Sequence, residues 1–298
     1  MSSLIIDCHI HMYAPEVVVD PRGWATAHRE WEWLRCVAPA GRRSIQGWAS
    51  IDKLLSDMDR AGVDKCVMLG WYWENQETCE LQNGWYLDWA RRHPDRLFAF
   101  AAVQPTAGER ALDHLQRMLD AGFRGIGEML PQAQHFGYED ECWRRVLEIA
   151  AARGVPVNLH VTDALVVPES AAPQTPLEDV VSLARKFPDV KFILAHWGGG
   201  LPFFEWNPSI KAAMRNVVYD TSASPLLYDA GVFQSVIDMV GARRVMWGTD
   251  YPLLVHPRET REPGFERSLR EAVAAMPSAE QRGDVLGGNC LRLLRGEG

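Results

Sequence analysis

The stretch IDKLLSDMDRAGVDKCVMLGW, residues 51–71, predicts a helix, a turn and a buried strand in direct succession. Ile51, Leu54 and Met58 recur at helical spacing and form one apolar face. Gly62 follows at the position where many helices end on a glycine. The run KCVMLGW is almost continuously apolar, which is typical of a strand buried on both faces of a parallel sheet.

The same succession returns along the rest of the chain. Together with an opening apolar run it predicts eight strands, at about 4–11, 65–71, 97–103, 124–129, 155–161, 191–197, 217–222 and 245–250. Eight strands alternating with helices are typical of an α/β protein of the (β/α)8 TIM-barrel type. An open doubly wound sheet has less support, because neither a G-x-G-x-x-G after the first strand nor a G-x-x-x-x-G-K-[ST] is present.

Composition narrows the class of protein further. We expect residues 1–298 to form a single barrel domain with a long inserted loop at about 12–49, after the first strand. The net charge of −8 and the lack of a basic cluster argue against nucleic-acid binding. No apolar run reaches the ~20 residues of a membrane helix, and no signal peptide is visible. The six scattered cysteines indicate reduced thiols, so we expect a cytoplasmic protein. Without a long apolar run, we also expect no association with membranes.

Histidines and carboxylates stand at the predicted carboxyl ends of the strands, where TIM barrels place their chemistry. Side chains at positions i and i+2 of a strand point the same way, so His9 and His11 can bind one ion. His160 ends the fifth strand and Asp250 the eighth, and both can reach the same point. We therefore predict a metal site at His9, His11, His160 and Asp250, with Asp7 as a structural anchor beneath it.

Imidazoles combined with a carboxylate suit a divalent metal, most often Zn²⁺, and also Fe, Ni or Mn. Such an ion activates water at neutral pH. Asp250 would take the proton of that water and later pass it to the leaving group. His196, at the end of the sixth strand, would act as a catalytic histidine. Glu128, at the end of the fourth strand, has three open roles: bridge to a second metal, substrate ligand, or hydrogen-bonding support. His135 and His256 follow strands and are further candidates for the cavity wall.

At these residues the sequence resembles the amidohydrolase superfamily. It is most similar to the amidohydrolase-related branch that includes aminocarboxymuconate-semialdehyde decarboxylase. The resemblance covers nearly the whole chain and rests on the motifs DCHIHMY, GIGEML, NLHVTD, LAHWGGG, WGTDYP and GGNCLRLL. It implies a metal-dependent barrel with His9, His11, His160 and Asp250 as ligands and His196 as a catalytic residue. It also implies a homodimer.

Two departures from the family pattern affect the number of metal ions. Binuclear members often carry a carboxylated lysine at the end of the fourth strand, where this chain has Glu128. One ion, or two ions bridged by Glu128, therefore both remain open. Some decarboxylases of the branch replace the first histidine of H-x-H by Glu, whereas this chain keeps His9.

The segments that follow the strands are rich in tryptophan and arginine. They predict a small-molecule substrate that bears a ring or a carboxylate, with Trp71, Trp197 and Arg35 as candidate contacts. The alternative is that these tryptophans only pack a long loop.

The predicted function is a metal-dependent hydrolase of a small ester, lactone or amide-like substrate, in which an activated water attacks the carbonyl. The alternative is a metal-dependent non-oxidative decarboxylase of an unsaturated or aromatic carboxylic acid, because the same residues serve both reactions. A third class, a barrel that binds a ligand or a partner without turnover, is disfavoured by the intact set of metal ligands.

Overall fold

A computed structural model of the chain describes residues 4–39, 41, 43–163 and 173–297. Eight parallel strands follow one another in chain order, as the sequence predicts. They are β1 Ile6–Ile10, β2 Lys65–Met68, β3 Leu97–Ala99, β4 Ile126–Met129, β5 Val157–Leu159, β6 Phe192–Leu194, β7 Val217–Asp220 and β8 Val245–Met246.

The strands pair in cyclic order and form a TIM barrel. One ladder joins β1, β2 and β3, and a second joins β4 to β8 in sequence. Parallel bridges between Ala101 and Ile126 and between Ile10 and Tyr251 connect the two ladders on both sides. Backbone hydrogen bonds, including that from the Cys8 amide to the Trp247 carbonyl at 3.0 Å, continue the contact between β8 and β1. The predicted fold class is therefore confirmed.

Helices cover the outside of the barrel. Most larger ones are amphipathic, and they bury their apolar faces against the strands because a parallel sheet needs cover on both faces. Their bounds are α1 Pro15–Val19, α2 Pro21–His28, α3 Trp31–Val37, α4 Ile51–Ala61, α5 Gln76–Arg92, α6 Glu109–Asp120, α7 Pro131–Gln134, α8 Glu141–Arg153, α9 Leu177–Lys186, α10 Pro208–Ala213, α11 Ser224–Leu227, α12 Val232–Val240, α13 Glu266–Ala275, α14 Ala279–Gly283 and α15 Asn289–Leu294. No helix in the described part of the chain is long and apolar enough to cross a membrane.

Helix α4 shows how the sequence sets these boundaries. The Ser50 hydroxyl accepts a hydrogen bond from the Lys53 amide at the start of the helix. Gly62 ends the helix in the left-handed conformation, with φ 72°. The chain then enters β2 within three residues, as the stretch 51–71 predicts.

The segment predicted as an inserted loop at about 12–49 contains the three short helices α1 to α3. Trp24 and Trp33 are buried there and pack against Trp73, which follows β2. These two tryptophans therefore pack the segment internally. This agrees with the alternative interpretation of its aromatic composition, in which the tryptophans pack a long loop and do not contact a substrate.

Most strands are shorter than predicted. The eighth was predicted to reach Asp250, but its ladder ends at Met246. The following residues turn out of regular strand geometry, although the Asp250 amide still donates to the His9 carbonyl at 2.9 Å. The apolar run thus predicted the strand, while the loop geometry at its end depends on contacts with β1.

Candidate active site

His9 of β1 and His11, which directly follows that strand, face each other at the carboxyl end of the barrel. The Nε2 atoms of His9 and His11 lie 3.1 Å apart, and both residues are buried. His9 Nδ1 lies 2.9 Å from Asp220 Oδ2, and His11 Nδ1 lies 3.1 Å from the Leu69 carbonyl oxygen. Since a carbonyl and an ionised carboxylate only accept, each Nδ1 carries the proton and donates. Both Nε2 lone pairs are therefore directed at a common point.

Two carboxylates complete this group. Glu128 Oε2 lies 3.3 Å from His11 Nε2 and 3.8 Å from His9 Nε2. Asp250 Oδ1 lies 3.6 Å from His11 Nε2 and 3.7 Å from His9 Nε2. We call His9, His11, Glu128 and Asp250 the donor cluster.

The donor cluster fits a divalent metal. Ligands bound at about 2.1 Å with tetrahedral or octahedral angles lie roughly 3.0–3.5 Å apart, close to the separations found here. The two carboxylates and the two Nε2 lone pairs also repel one another unless a metal ion or a proton lies between them. Nitrogen and oxygen donors of this kind suit zinc and manganese alike.

A second group shares Glu128 with the donor cluster. His160 Nδ1 lies 2.9 Å from Glu128 Oε1, and His196 Nε2 lies 3.1 Å from His160 Nδ1. His196 Nε2 is also 3.5 Å from Glu128 Oε1. His160, predicted beside His9 and His11 as a ligand, thus contacts the other oxygen of Glu128. Glu128, His160 and His196 form a further set with metal-ligand spacing.

Both predicted catalytic residues have left-handed backbone conformations. The φ angle is 57° at His196 and 68° at Asp250. Such angles are uncommon outside glycine, and strain of this kind concentrates at functional sites. His196 is held there by its Nδ1 atom, which donates to the Ser222 carbonyl at 3.1 Å. Its Nε2 atom therefore stays directed at Glu128 and His160.

Burial and charge act against each other on the ionisable groups. Burial alone would raise the pKa of Glu128, but the imidazoles of His160 and His9 outweigh it and hold that pKa well below its usual value. Burial also opposes protonation of His196, yet hydrogen bonding and attraction to Glu128 raise its pKa. For His160 burial prevails, and its pKa is lowered.

Asp220 was missed by the sequence analysis. It ends β7, is fully buried, and receives hydrogen bonds from His9, from Asn158 Nδ2 at 3.2 Å and from the Ser222 amide at 2.9 Å. Attraction to His9 overcomes the effect of burial and lowers its pKa. Its position is the signal that could have identified it. Asp220 ends a strand in the motif VVYDTS, much as Asp250 follows a strand in the motif WGTDYP.

A cavity of about 990 Å³ opens above these groups. His11, His160, His196 and Asp250 belong to its wall, so the predicted catalytic and ligand positions meet at one end of it. Trp71 and Tyr72 also line it, and the Trp71 ring lies 5.1 Å from that of His11.

Two of the three predicted substrate contacts lie elsewhere. Trp197 is fully buried, and its Nε1 atom donates to Ser224 Oγ at 2.9 Å. Arg35 forms an ion pair with Glu32, and its side chain is more than half exposed. Arg43, which the sequence analysis did not single out, belongs to the cavity wall instead. A helix-and-loop segment does not reveal by its composition which arginine faces inward.

The remaining polar candidates occupy supporting or peripheral positions. Asp7 accepts from the His9 and Thr249 amides and from the Thr249 hydroxyl, so it ties β1 to the loop after β8. Burial raises its pKa to about 7. His135 is largely exposed, with Nε2 3.5 Å from Glu74. His256 Nε2 lies 3.1 Å from Glu271, and neither of these histidines lines the cavity.

Comparison with known proteins gives a family match over nearly the full length. A family described as Amidohydrolase matches residues 6–296. A curated relative is 2-amino-3-carboxymuconate-6-semialdehyde decarboxylase from Dictyostelium discoideum. The alignment is 268 positions long at 23% identity, and it covers 76% of this chain and 70% of the relative.

Solved structures share the fold. The 5-carboxyvanillate decarboxylase from Sphingomonas paucimobilis aligns with a TM-score of 0.76 and 18% identity, covering 99% of both chains. A dihydroxybenzoic acid decarboxylase from a Polaromonas species aligns with a TM-score of 0.69 and 19% identity, covering 98% of this chain and 97% of the other. That structure contains manganese and the inhibitor 2-nitroresorcinol.

These comparisons correct the predicted function. The curated relative and both solved structures are decarboxylases, so the prediction of a hydrolase is wrong and the alternative is favoured. The physical reason for the error is that hydrolysis and decarboxylation use the same histidines and carboxylates, and residue types at strand ends do not separate them.

Proposed function

This chain belongs to the amidohydrolase family, and we propose that it is a metal-dependent, non-oxidative decarboxylase of an aromatic or unsaturated carboxylic acid. The observation that carries the proposal is the position of the donor cluster at one end of a large cavity, with His196 beside it and mostly apolar walls elsewhere. The decarboxylase names of the relatives support the choice of reaction.

We propose that His9, His11, Glu128 and Asp250 hold one divalent ion, with His160 as a further ligand. Such an ion would supply a Lewis acid that fixes and polarises the oxygen atoms of the substrate. Zinc was predicted from the sequence, whereas a related structure contains manganese, and the donor set suits both. Elemental analysis of protein purified without added metal tests the proposal. About one ion per chain supports it, and two ions would make Glu128 a bridge.

Decarboxylation breaks the bond between the carboxylate carbon and the ring or alkene carbon. Carbon dioxide leaves, the electron pair stays on the remaining carbon and spreads into the conjugated system, and a proton then takes the vacated position. The protein must therefore orient the acid, exclude bulk water and supply that proton. Trp71 and Tyr72 offer aromatic faces along which a planar substrate can pack.

His196 is the proposed proton donor. Its Nδ1 proton is committed to the Ser222 carbonyl, so Nε2, next to Glu128 and His160 in the cavity wall, is the atom that can take up and release a second proton. An imidazolium in the cavity wall can pass this proton to the substrate carbon. Asp250, whose carboxylate also faces the cavity, is proposed to help hold the substrate and to return a proton to the site.

The experiment is turnover in deuterium oxide with the metal-loaded protein. Hydroxybenzoates and unsaturated dicarboxylic acids are supplied singly, and release of CO2 is followed together with mass spectrometry of the product. We expect an active acid to lose one CO2 and to gain one deuterium on the carbon that carried it. Addition of water to the substrate, or cleavage of an ester without CO2 release, would refute the proposal.

A further inference from the structure

The cavity above the donor cluster is much larger than a single-ring acid requires. Its volume of about 990 Å³ lies at the top of the range of roughly 300–1,000 Å³ that holds drug-sized ligands. One ring with a carboxylate and one or two hydroxyl groups would occupy a small part of it. Within the described wall, the rest of the space can hold water or more ligand.

Part of the cavity wall is apolar. Val37 and Ile45 come from the segment after β1, Phe203 and Phe204 from the segment after β6, and Leu226 from α11. A wall of this composition binds water poorly, so water is a poor occupant of the space.

Exposed apolar side chains concentrate at this cavity. Among the described residues, eight large hydrophobic side chains are strongly exposed, and three of them, Phe203, Phe204 and Leu226, line the cavity. Single exposed apolar residues are common on protein surfaces. Several of them around one cavity are typical of a groove that binds an apolar ligand.

Few charges face the cavity away from the donor cluster. Within the described wall, Arg43 is the one arginine or lysine, and the carboxylate outside the donor cluster is that of Asp163. Asp163 already accepts a hydrogen bond from the Tyr228 hydroxyl across the cavity. A second charged group on the ligand would therefore leave water for a described wall with few charged partners, which costs free energy.

We propose that the substrate carries an apolar, ring-sized extension beyond the ring or alkene that loses CO2, and that Phe203 and Phe204 bind this extension. The inference rests on the proposed function, because it places the reacting carboxylate at the donor cluster. It defines the substrate class as extended aromatic acids, such as biaryl or fused-ring carboxylates.

The first test is isothermal titration calorimetry with metal-loaded protein and three probes. These are 2-hydroxybenzoate, 4-phenyl-2-hydroxybenzoate, and 4-(carboxymethyl)-2-hydroxybenzoate as a polar extension. We expect the phenyl compound to bind at least tenfold more tightly than 2-hydroxybenzoate. The carboxymethyl compound should bind no more tightly than 2-hydroxybenzoate.

The second test compares two variants. In the double variant Phe203→Ser/Phe204→Ser, the Kd of 2-hydroxybenzoate should exceed that of the phenyl compound by less than threefold. Trp206→Ser is the matched control, because Trp206 is an exposed aromatic residue near the same turn that does not line the cavity. This variant should keep the wild-type ratio.

The outcomes separate the inference from the proposed function. If 2-hydroxybenzoate releases CO2 and the phenyl compound binds no better, the inference is overturned and the proposed function stands. If the phenyl advantage and its loss in the double variant are found, but no acid releases CO2, the proposed function fails and the ligand preference stands. If the double variant keeps the wild-type ratio of Kd values and changes only the molecular mass measured by analytical ultracentrifugation, Phe203 and Phe204 belong to an interface between two copies of the chain. The inference is then overturned.

Discussion

At the scale of single residues, the site depends on which nitrogen of each histidine carries the proton. Asp220 and the Leu69 carbonyl accept from Nδ1 of His9 and His11, and this directs both Nε2 atoms to one point. The left-handed backbone at His196 and Asp250 is tolerated because His and Asp adopt it more readily than most residues. These hydrogen bonds and backbone conformations therefore orient the ligand and catalytic atoms before any substrate binds.

Asp220→Asn should weaken metal binding by about 10–100-fold, because the variant loses the charge that orients and polarises His9. The affinity is measured by competition with a chromophoric chelator. Asp238→Asn is the control, since Asp238 is an exposed carboxylate on α12 that receives a hydrogen bond from Gln234. Equal affinities of the two variants would show that Asp220 does not support the donor cluster.

His196→Asn should lower kcat by about 10²–10⁴-fold while the metal content is retained, because the proposed proton donor is removed. Asparagine tolerates the left-handed backbone, so the fold should persist. His135→Asn is a matched control, because His135 has φ 59° and lies outside the cavity wall. Loss of metal from the His196 variant would instead make His196 a ligand.

At the scale of elements, the turn after β6 determines where His196 is held. Trp197, Gly198, Gly199 and Gly200 all have positive φ angles, so the chain makes an unusual left-handed turn. A Cβ atom on Gly199 would lie 2.8 Å from the Thr162 carbonyl oxygen and 2.9 Å from Val161 Cγ1. The turn therefore packs against the loop after β5, which follows His160.

Gly199→Ala should disturb the site more than Gly154→Ala does. Both glycines have φ near 60°, but a Cβ atom on Gly154 meets nothing within 4 Å. The Gly154 variant should lose about 1–2 kcal/mol of unfolding free energy from backbone strain alone. The Gly199 variant should lose more stability and also activity, measured by urea unfolding and CO2 release. Equal stability and activity of the two variants would mean that the turn moves freely.

At the scale of the whole molecule, a buried carboxylate joins the segment after β1 to the loop after β2. Glu30 accepts from the Glu74 amide at 2.7 Å and from the Asn75 amide at 3.2 Å. Burial raises its pKa from 4.5 to about 7, although these hydrogen bonds oppose the shift. The loop that Glu30 holds contains Trp71 and Tyr72 of the cavity wall.

This shift predicts a pH dependence of folding stability. The pKa of Glu30 is higher in the folded protein than in the unfolded chain, so a proton bound to Glu30 stabilises the fold. This stabilisation is fully present below pH 4.5 and is lost as the pH rises through about 7. The difference in unfolding free energy between wild type and Glu30→Gln should therefore fall by about 3 kcal/mol over that range.

Urea unfolding from pH 4.5 to 8 measures this difference. Glu16→Gln is the control, because Glu16 is an exposed glutamate of the same segment. If the difference between wild type and Glu30→Gln is constant over the range, Glu30 does not titrate there.

The order of the eight strands and most residues of the donor cluster could be predicted from local patterns. Apolar runs follow helical runs along the chain, and parallel strands all carry their site residues at the same end. His9 and His11 were predictable as a pair because alternation along a strand is a local property of the backbone. Glu128 could be named, but its role could not.

Contacts between distant strands decided the rest. Asp220 lies 211 residues from His9 in sequence, so no local pattern joins them. The same is true of the choice between Arg35 and Arg43, and of the cavity that Phe203 and Phe204 enclose with the segment after β1. A sequence specifies which side chains are available at each strand end. Their distances, their protonation and the volume between them follow only when the barrel closes.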